Sequence, residues 1–329
     1  MINSHQRRLD QAQLDRILAG SGLAPTDVRS WAELGDATYN TAYRIHIANG
    51  DDLVLKVAPD PAAPTMSYEL DLMRTEAMFY RSAIAALPVP EVLRADFSRQ
   101  VIDSDFLLMT ALPGQNWVAQ RDHLTDNRAE LRHELGTLVA GLHRITNDGN
   151  GFGYPQHPPS TTWRTAFTAM LNMVLTDAQR FAAPLPWSLG RIQEVTSRHV
   201  DTLDEVRTPV LVHFDLWDGN ILVDNGRITG IVDGERAFWG DPLAEMVSLA
   251  LLSDIEQDLD FLSGYRSAGG QLTFDASART RLALYQCYLY LIVLTEGIPR
   301  GYSATYNRET LEFVSEYLIA ALRTLAAPT

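Results

Sequence analysis

The stretch from residue 210 to residue 233 constrains the fold more than any other part of the sequence. Residues 210–212 are apolar, residues 213–220 form a loop that contains His213, Asp215 and Asn220, and residues 221–223 are apolar again. Apolar runs of this length that flank a polar loop are typical of buried strands. The chain must therefore fold so that β-structure holds this loop rigidly and presents its polar side chains.

A hairpin follows the loop directly. Asn225-Gly226 is the strongest short-range hairpin signal, and if these two residues form the turn, Asn220 lies opposite Ile231. Asp233 is then a diagonal neighbour of Asn220, about 7–8 Å away at the backbone. Oxygen ligands bind Mg²⁺ at about 2.0–2.1 Å. The spacing thus predicts that Asn220 and Asp233 share or flank one magnesium ion.

These residues resemble a known family. His213-x-Asp215-x4-Asn220, followed by Ile231-Val232-Asp233 and Gly240-Asp241-Pro242, is similar to the pattern of the aminoglycoside phosphotransferase and choline kinase superfamily, which is related to the protein kinases. The resemblance implies that Asp215 is the catalytic base and that Asn220 and Asp233 hold Mg²⁺. It also implies ATP or GTP as the phosphoryl donor.

The resemblance implies an α+β, bilobal, protein-kinase-like fold. Residues 1–112 would form a small nucleotide-binding lobe, an antiparallel sheet plus a helix, and residues 113–329 a larger, mostly helical lobe that carries catalysis and acceptor binding. The sequence itself predicts strands at Thr41–Ile47, Leu53–Val57 and Asp105–Thr110, and a helix over Ser67–Ala86. Pro113-Gly114 marks the hinge.

Lys56 and Glu76 are the predicted ion pair of the nucleotide site. Lys56 lies within an apolar strand, where a buried ammonium needs an anionic partner. Glu76 shares a helical side with apolar residues, which is unusual for a carboxylate without a cation. The resemblance implies that such a pair positions the α- and β-phosphates. Glu69 is the alternative partner for Lys56. If no pair forms, Lys56 lies on an edge strand with its ammonium in water, and Glu76 is exposed.

Two further segments are expected at the nucleotide. The polar bend that contains Gly35, Thr38 and Asn40 would cover the phosphates, although it lacks the full glycine pattern of protein kinases. Backbone groups near Met109 and Ala111 would contact the base. We expect His213 to orient the loop by hydrogen bonding.

The sequence departs from the family pattern at two positions. Phe214 stands where family members commonly have glycine, and Gly234 stands where they commonly have an aromatic residue. Packing around the loop is therefore expected to differ, while the predicted ligand positions are intact. Asp241-Pro242 has a structural explanation, with Asp241 as N-cap and Pro242 as the first helical residue.

Composition excludes several classes of partner. The formal net charge of −14 opposes binding to nucleic acid, which needs clustered Lys and Arg. The single cysteine, Cys287, suits a reducing cytoplasm, and the apolar run Leu282–Leu294 is too short to span a bilayer. We expect a cytoplasmic protein without a membrane partner, and the oligomeric state stays open.

The acceptor is expected to be a small molecule with a hydroxyl group. The acidic run Asp254, Glu256, Asp258 and Asp260 would suit a cationic acceptor, although such runs are usually solvated helix faces, and Arg300 hints instead at an acceptor carboxylate.

The leading hypothesis is a kinase of an aminoglycoside-like or other amino-bearing antibiotic, a resistance function. The alternatives are a metabolic kinase for a ketosamine, choline-like or amino-acid alcohol, and a non-catalytic nucleotide-binding regulator. A protein kinase is disfavoured, because no Ala-Pro-Glu segment follows Asp233.

Overall fold

An antiparallel sheet forms the N-terminal part of the computed structural model, which describes residues 5–35 and 39–327. Within these residues, five strands pair in the order β1-β2-β3-β5-β4. The strands are β1 (Val28–Leu34), β2 (Thr41–Ile47), β3 (Asp52–Val57), β4 (Val92–Asp96) and β5 (Phe106–Thr110). The predicted strands over residues 41–47, 53–57 and 105–110 are thus confirmed to within one residue.

The two faces of this sheet carry different side chains. Ile45 and Leu55 point to one face, where they form a small apolar core with helix α1 (Gln11–Ala19). Because side chains alternate along a strand, Val54 and Lys56 point to the opposite face. Helix α2 (Leu72–Ala83) lies on that side, so the alternation of β3 aims Lys56 towards α2.

Three details of this region differ from the sequence predictions. Strands β1 and β4 were not expected, and both lie at the edges of the sheet with few buried side chains, so they lack the alternation that identifies a strand. The helix predicted over residues 67–86 divides into a short 3₁₀ turn (Ser67–Glu69) and α2. Asp71 causes the break, since its φ of 56° is left-handed.

Helices dominate the rest of the chain. They are α3 (Trp117–Gln120), α4 (Arg128–Leu142), α5 (Trp163–Arg180), α6 (Leu189–Ser197), α7 (Glu245–Leu249), α8 (Leu259–Ser267), α9 (Ala276–Glu296) and α10 (Ala304–Ala326). Most residues of α9 are buried, including Cys287, so the apolar run of the sequence is a core helix. No helix within the described residues is both long and apolar enough to cross a membrane.

Two small sheets support the loop after residue 212. Strand β7 (Val210–Val212) pairs with β10 (Phe238–Gly240), and β8 (Ile221–Asp224) lies between β6 (Gln115–Asn116) and β9 (Arg227–Ile231). The chain is therefore α+β, with an antiparallel sheet first and a helical part after it. The boundary between residues 112 and 113 stays a prediction.

The register of the β8–β9 hairpin corrects one expectation. Ile231 pairs with Ile221 rather than with Asn220, because Thr229 forms a bulge in β9. The Thr229 hydroxyl donates to the carbonyl oxygen of Pro113 at 2.7 Å, a contact far away in sequence. The backbone oxygen of Asn220 consequently accepts the N–H of Val232 at 3.0 Å. Asn220 is therefore one residue nearer to Asp233 along the hairpin than predicted.

The close packing of α4 against α8 yields a stability prediction. A Cβ added to Gly264 would lie 1.9 Å from the backbone oxygen of His133, so Gly264→Ala must push the helices apart. We expect a loss of about 1–3 kcal/mol in the free energy of unfolding, measured by urea denaturation. Gly190→Ala is the control: its added Cβ meets no atom within 4 Å, and it should stabilise α6 by up to about 1 kcal/mol. An unchanged unfolding midpoint for Gly264→Ala would contradict this packing.

Candidate active site

The loop after β7 is held by the side chain of His213. The Nε2–H of this buried imidazole donates to the carbonyl oxygen of Val232 at 3.0 Å, and its Nδ1 accepts the N–H of Asp215 at 3.2 Å. Burial lowers the pKa of His213 to about 4, so the ring is neutral and can serve both bonds near pH 7. These bonds match the expected orienting role.

Phe214 adopts a left-handed backbone conformation, with φ of 61°. A non-glycine residue pays roughly 1–2 kcal/mol for this geometry. The conformation explains why the family pattern favours glycine here. In this chain the phenyl ring is fully buried between Phe238 and Tyr288, which offsets the strain. At Gly234, the other departure from the family pattern, no larger side chain fits, because an added Cβ would lie 2.3 Å from the ring of Phe79.

Glu245, a residue that sequence reasoning missed, supports the strained loop. Its buried carboxylate accepts the N–H of His213 at 2.7 Å and the N–H of Phe214 at 3.0 Å. Burial raises the pKa of Glu245 to about 7, and these two N–H groups act in the opposite direction. The sequence showed only that a helix begins near Asp241, whose side chain accepts the N–H of Leu243 at 2.9 Å as predicted for an N-cap.

The three residues predicted to carry the chemistry converge. Asn220 Nδ2 donates to the backbone oxygen of Asp215 at 2.8 Å and to its Oδ2 at 3.3 Å. Asp233 also has a left-handed backbone, with φ of 67°, and its N–H donates to the hydroxyl of Tyr80 at 2.9 Å. Burial raises the pKa of Asp215 to about 6, because nearby Arg236 only partly offsets it.

Lys56 forms the predicted pair with Glu76 and also binds Asp233. Its Nζ lies 2.8 Å from both carboxylate oxygens of Glu76 and 2.5 Å from Oδ1 of Asp233. Burial alone would lower the pKa of Lys56, but the two carboxylates raise it well above its ordinary value. Tyr80 donates to Glu76 at 2.6 Å. Glu69, the alternative partner, binds Arg300 instead.

A third carboxylate, that of Glu235, lies beside this pair. The carboxylate oxygens of Glu76, Asp233 and Glu235 lie within 4.8 Å of one another, and Asn40 Nδ2 donates to Glu235 at 2.8 Å. Burial and the charge of Asp233 raise the pKa of Glu235 to about 8. Glu235 is therefore mostly protonated near pH 7, and a cation bound to the cluster would favour its ionised form.

The donor atoms fit Mg²⁺. Carboxylate and amide oxygens are hard ligands, and the described residues of the cluster contribute no thiolate. Asn220 uses its amide nitrogen to bind Asp215, which leaves its Oδ1 as the atom for a cation.

Two cavities meet at Asp215. The first, of about 340 Å³, lies under the N-terminal sheet, and Asn40, Lys56, Met109 and Ala111 line it. The second, of about 460 Å³, lies against the C-terminal helices. Residues common to both walls are Asp215, Gly219, Asn220, Asp233, Arg236 and Arg300. A group on each side can therefore reach Asp215.

Of the predicted nucleotide-site residues Gly35, Thr38 and Ala111, only Ala111 lines the first cavity within the part of the chain that the structure describes. Leu34, rather than the neighbouring Gly35, lines the first cavity. Thr38 lies outside the described residues. Ala111 lines the cavity, but its N–H already donates to the carbonyl oxygen of Asp52 at 2.9 Å.

Two buried arginines line the site, Arg236, which sequence reasoning missed, and Arg300, which the sequence linked to an acceptor carboxylate. Arg236 donates to Glu296 at 2.7 Å and has its Nε 3.9 Å from Oδ2 of Asp215. Arg300 binds Glu69 at 2.5 Å and Glu296 at 3.2 Å. Arg300 is thus paired within the protein, which removes the basis for reading it as a ligand for an acceptor carboxylate. Its partner Glu69 is 231 residues away, and no local pattern signals such a pair.

Comparisons with known proteins agree with this geometry. The model of the family described as "Phosphotransferase enzyme family" matches residues 30–285. Hygromycin-B 4-O-kinase of Escherichia coli is 28% identical over 173 residues, which are 51% of this chain and 48% of that protein. The chain thus spans about half the length of this curated relative.

Solved structures with the same fold are more distant in sequence. A thermostable mutant of aminoglycoside phosphotransferase APH(4)-Ia, in a ternary complex with AMP-PNP and hygromycin B, superposes with a TM-score of 0.66 at 21% identity, over 96% of this chain and 99% of that chain. A macrolide 2'-phosphotransferase from Brachybacterium faecium superposes with a TM-score of 0.60 at 19% identity, over 96% and 98%. At these identities the likeness establishes the protein-kinase-like fold alone.

The bonds of Glu245 yield a stability prediction. Glu245→Ala leaves the buried N–H groups of His213 and Phe214 without acceptors, so we expect the free energy of unfolding to fall by about 2–4 kcal/mol in urea denaturation. The control is Glu256→Ala, which removes a carboxylate paired with the more exposed Arg279 and should cost less than about 1 kcal/mol. Similar losses for both variants would show that Glu245 does not support the loop.

Proposed function

Because the chain belongs to the phosphotransferase enzyme family, which its match over residues 30–285 establishes, we propose that it transfers the γ-phosphoryl group of Mg-bound ATP or GTP to a hydroxyl of an amino-bearing antibiotic. One observation carries the proposal: Asp215 lies where the two cavities meet, and Asn220 and Asp233 adjoin it. A donor on the sheet side and an acceptor on the helical side would share one reactive position.

The donor side is supported by Lys56. This ammonium stays charged because Glu76 and Asp233 raise its pKa, and it lines the first cavity, where it can bind phosphate oxygens. Asn220 and Asp233 would hold Mg²⁺, which when bound neutralises charge on the phosphates. The AMP-PNP bound by the solved relative supports ATP as the donor.

Asp215 would act on the acceptor. Its carboxylate accepts the proton of the acceptor hydroxyl while the new bond forms between that oxygen and the γ-phosphorus. The bond from the γ-phosphorus to the β,γ-bridging oxygen breaks, and the nucleoside diphosphate leaves. Since the transition state is loose, the main contribution of the protein is to position both reactants in line.

The amino-bearing acceptor rests on the relatives. The Escherichia coli protein is a hygromycin-B 4-O-kinase, and the solved relative forms a ternary complex with AMP-PNP and hygromycin B. A transfer assay with ATP and GTP against hygromycin B, other aminoglycosides and amino alcohols tests this, with phosphorus NMR to identify the modified hydroxyl. Transfer to amino alcohols alone would replace the antibiotic acceptor with a metabolic one.

Replacement of the proposed base gives the first kinetic prediction. Asp215→Ala should lower turnover by roughly 10²–10⁴-fold, the usual effect of a lost general base, while calorimetric binding of Mg-ATP largely survives. Asp224→Ala, in the hairpin beyond the site, is the matched control and should keep wild-type turnover. Near-wild-type turnover by Asp215→Ala would show that another group accepts the proton.

The raised pKa of Asp215 gives a second kinetic prediction, which concerns the pH dependence of the reaction. Only the ionised carboxylate accepts a proton. The contribution of Asp215 to kcat/KM should therefore be half-maximal near pH 6, level off about one pH unit higher and fall about tenfold per unit at lower pH. The residual activity of Asp215→Ala should lack this acid limb. A wild-type profile that stays flat down to pH 4.5 would contradict the assignment.

A further inference from the structure

The acceptor-side cavity continues into an apolar groove between α9 and α10. The groove has a volume of about 410 Å³. Its wall shares Leu251, Val293 and Tyr306 with the wall of the acceptor-side cavity. A molecule whose hydroxyl lies at Asp215 can therefore extend across these three residues into the groove.

Charge in the acceptor-side cavity does not suit a polycation. Among the described residues, its wall contains the carboxylates of Asp215, Asp233 and Glu296. Asp233 is bound to Lys56, and Glu296 is bound to both Arg236 and Arg300. Asp215 is needed for the acceptor hydroxyl. An acceptor with several ammonium groups would therefore lie near the guanidinium groups of Arg236 and Arg300, which repel it. Among the described residues of the wall, no carboxylate is left unpaired to bind it.

The acidic run of the sequence does not supply the missing carboxylates. Asp254 caps a 3₁₀ turn, Glu256 pairs with Arg279, and Asp258 pairs with Arg132. None of these side chains is among the described residues that line the cavity or the groove. The acidic wall considered for a cationic acceptor is therefore not formed by this run.

The groove offers apolar contact and one acidic group. Leu252, Tyr290 and Val314 line it, and Phe313 at its wall is 58% exposed, which is unusual for a large apolar side chain. A bound apolar surface would remove this ring from water. Glu309, an exposed residue of the same wall, can pair with a single amine.

We propose that the acceptor is a hydroxyl compound with a large apolar body and a single amine, and that its apolar body lies in the groove lined by Phe313. This inference rests on the proposed phosphotransferase function and narrows its acceptor. It excludes the aminocyclitols with several amines as preferred acceptors. Continuity of the groove with the Asp215 cavity and the committed carboxylates of that cavity carry it.

The test compares two acceptors in the same Mg-ATP assay. One is a macrolactone antibiotic with a single amino sugar, and the other is hygromycin B, an aminocyclitol. We expect kcat/KM to be at least about tenfold higher for the macrolactone. Phe313→Ser should raise the KM of the macrolactone about tenfold and leave kcat unchanged, because the ring contacts a part of the acceptor that does not react. Leu259→Ser, which replaces another exposed apolar side chain outside the groove, should change neither constant.

Binding is measured separately from turnover. Calorimetry with the macrolactone should give about tenfold weaker binding to Phe313→Ser than to wild type. A preference for hygromycin B, an unchanged KM in Phe313→Ser, or a macrolactone that binds without being phosphorylated would overturn the inference and leave the proposed function in place. Two results together would instead contradict the proposed function. The enzyme would transfer phosphate to none of the acceptors, and it would show no slow, Mg-dependent ATP hydrolysis that is lost in Asp215→Ala.

Discussion

The ammonium of Lys56 joins the three parts of the molecule that form the site. It binds Glu76 of α2 and Asp233 after β9 from its own position on β3. The pair with Glu76 is buried, whereas the side chain of Asp233 is 37% exposed. Removal of one partner from a buried pair typically costs about 3–5 kcal/mol, because a charge is left without compensation. The Lys56 contacts thus connect the N-terminal sheet to the segment after the β8–β9 hairpin, and both line the first cavity.

Each strained residue of the segment from residue 213 to residue 233 has a buried group that binds its backbone N–H. Phe214 and Asp233 both have left-handed backbones, a geometry that persists in non-glycine residues only where the surroundings enforce it. Glu245 binds the N–H of Phe214, and Tyr80 accepts the N–H of Asp233. Tyr80 also binds Glu76, so the carboxylate that holds Lys56 is connected to the backbone of Asp233. His213 connects these bonds to Asp215, because its imidazole binds both the carbonyl oxygen of Val232 and the N–H of Asp215.

Arg236 and Arg300 neutralise a carboxylate in the wall of the second cavity. Arg236 and Arg300 share Glu296, and Arg300 also binds Glu69 and lies over the ring of Tyr39, with its Cζ 4.6 Å from the ring centroid. These pairs are buried, so their charges are unavailable to a solute without a large desolvation cost. The carboxylate of Glu296 in the wall of the second cavity is thus already paired, and this wall shares Leu251, Val293 and Tyr306 with the apolar groove.

The sequence by itself determined the parts that depend on neighbours along the chain. Alternation predicted β2 and β3, the Asn225-Gly226 turn predicted the hairpin, and the convergence of Asp215, Asn220 and Asp233 followed because a single strand–loop–hairpin carries all three. Lys56 and Glu76 could be paired because each is a charge in an apolar pattern, which requires a partner.

Tertiary structure alone decided the rest. The bulge at Thr229 depends on the oxygen of Pro113, the support of Phe214 on Glu245, and the state of Arg300 on Glu69. The side chains of the edge strands β1 and β4 are hardly buried, so their sequences lack the alternation of apolar and polar residues that predicts a strand. In each case the deciding atom is supplied by a distant segment, and a one-dimensional pattern contains no information on which distant groups meet.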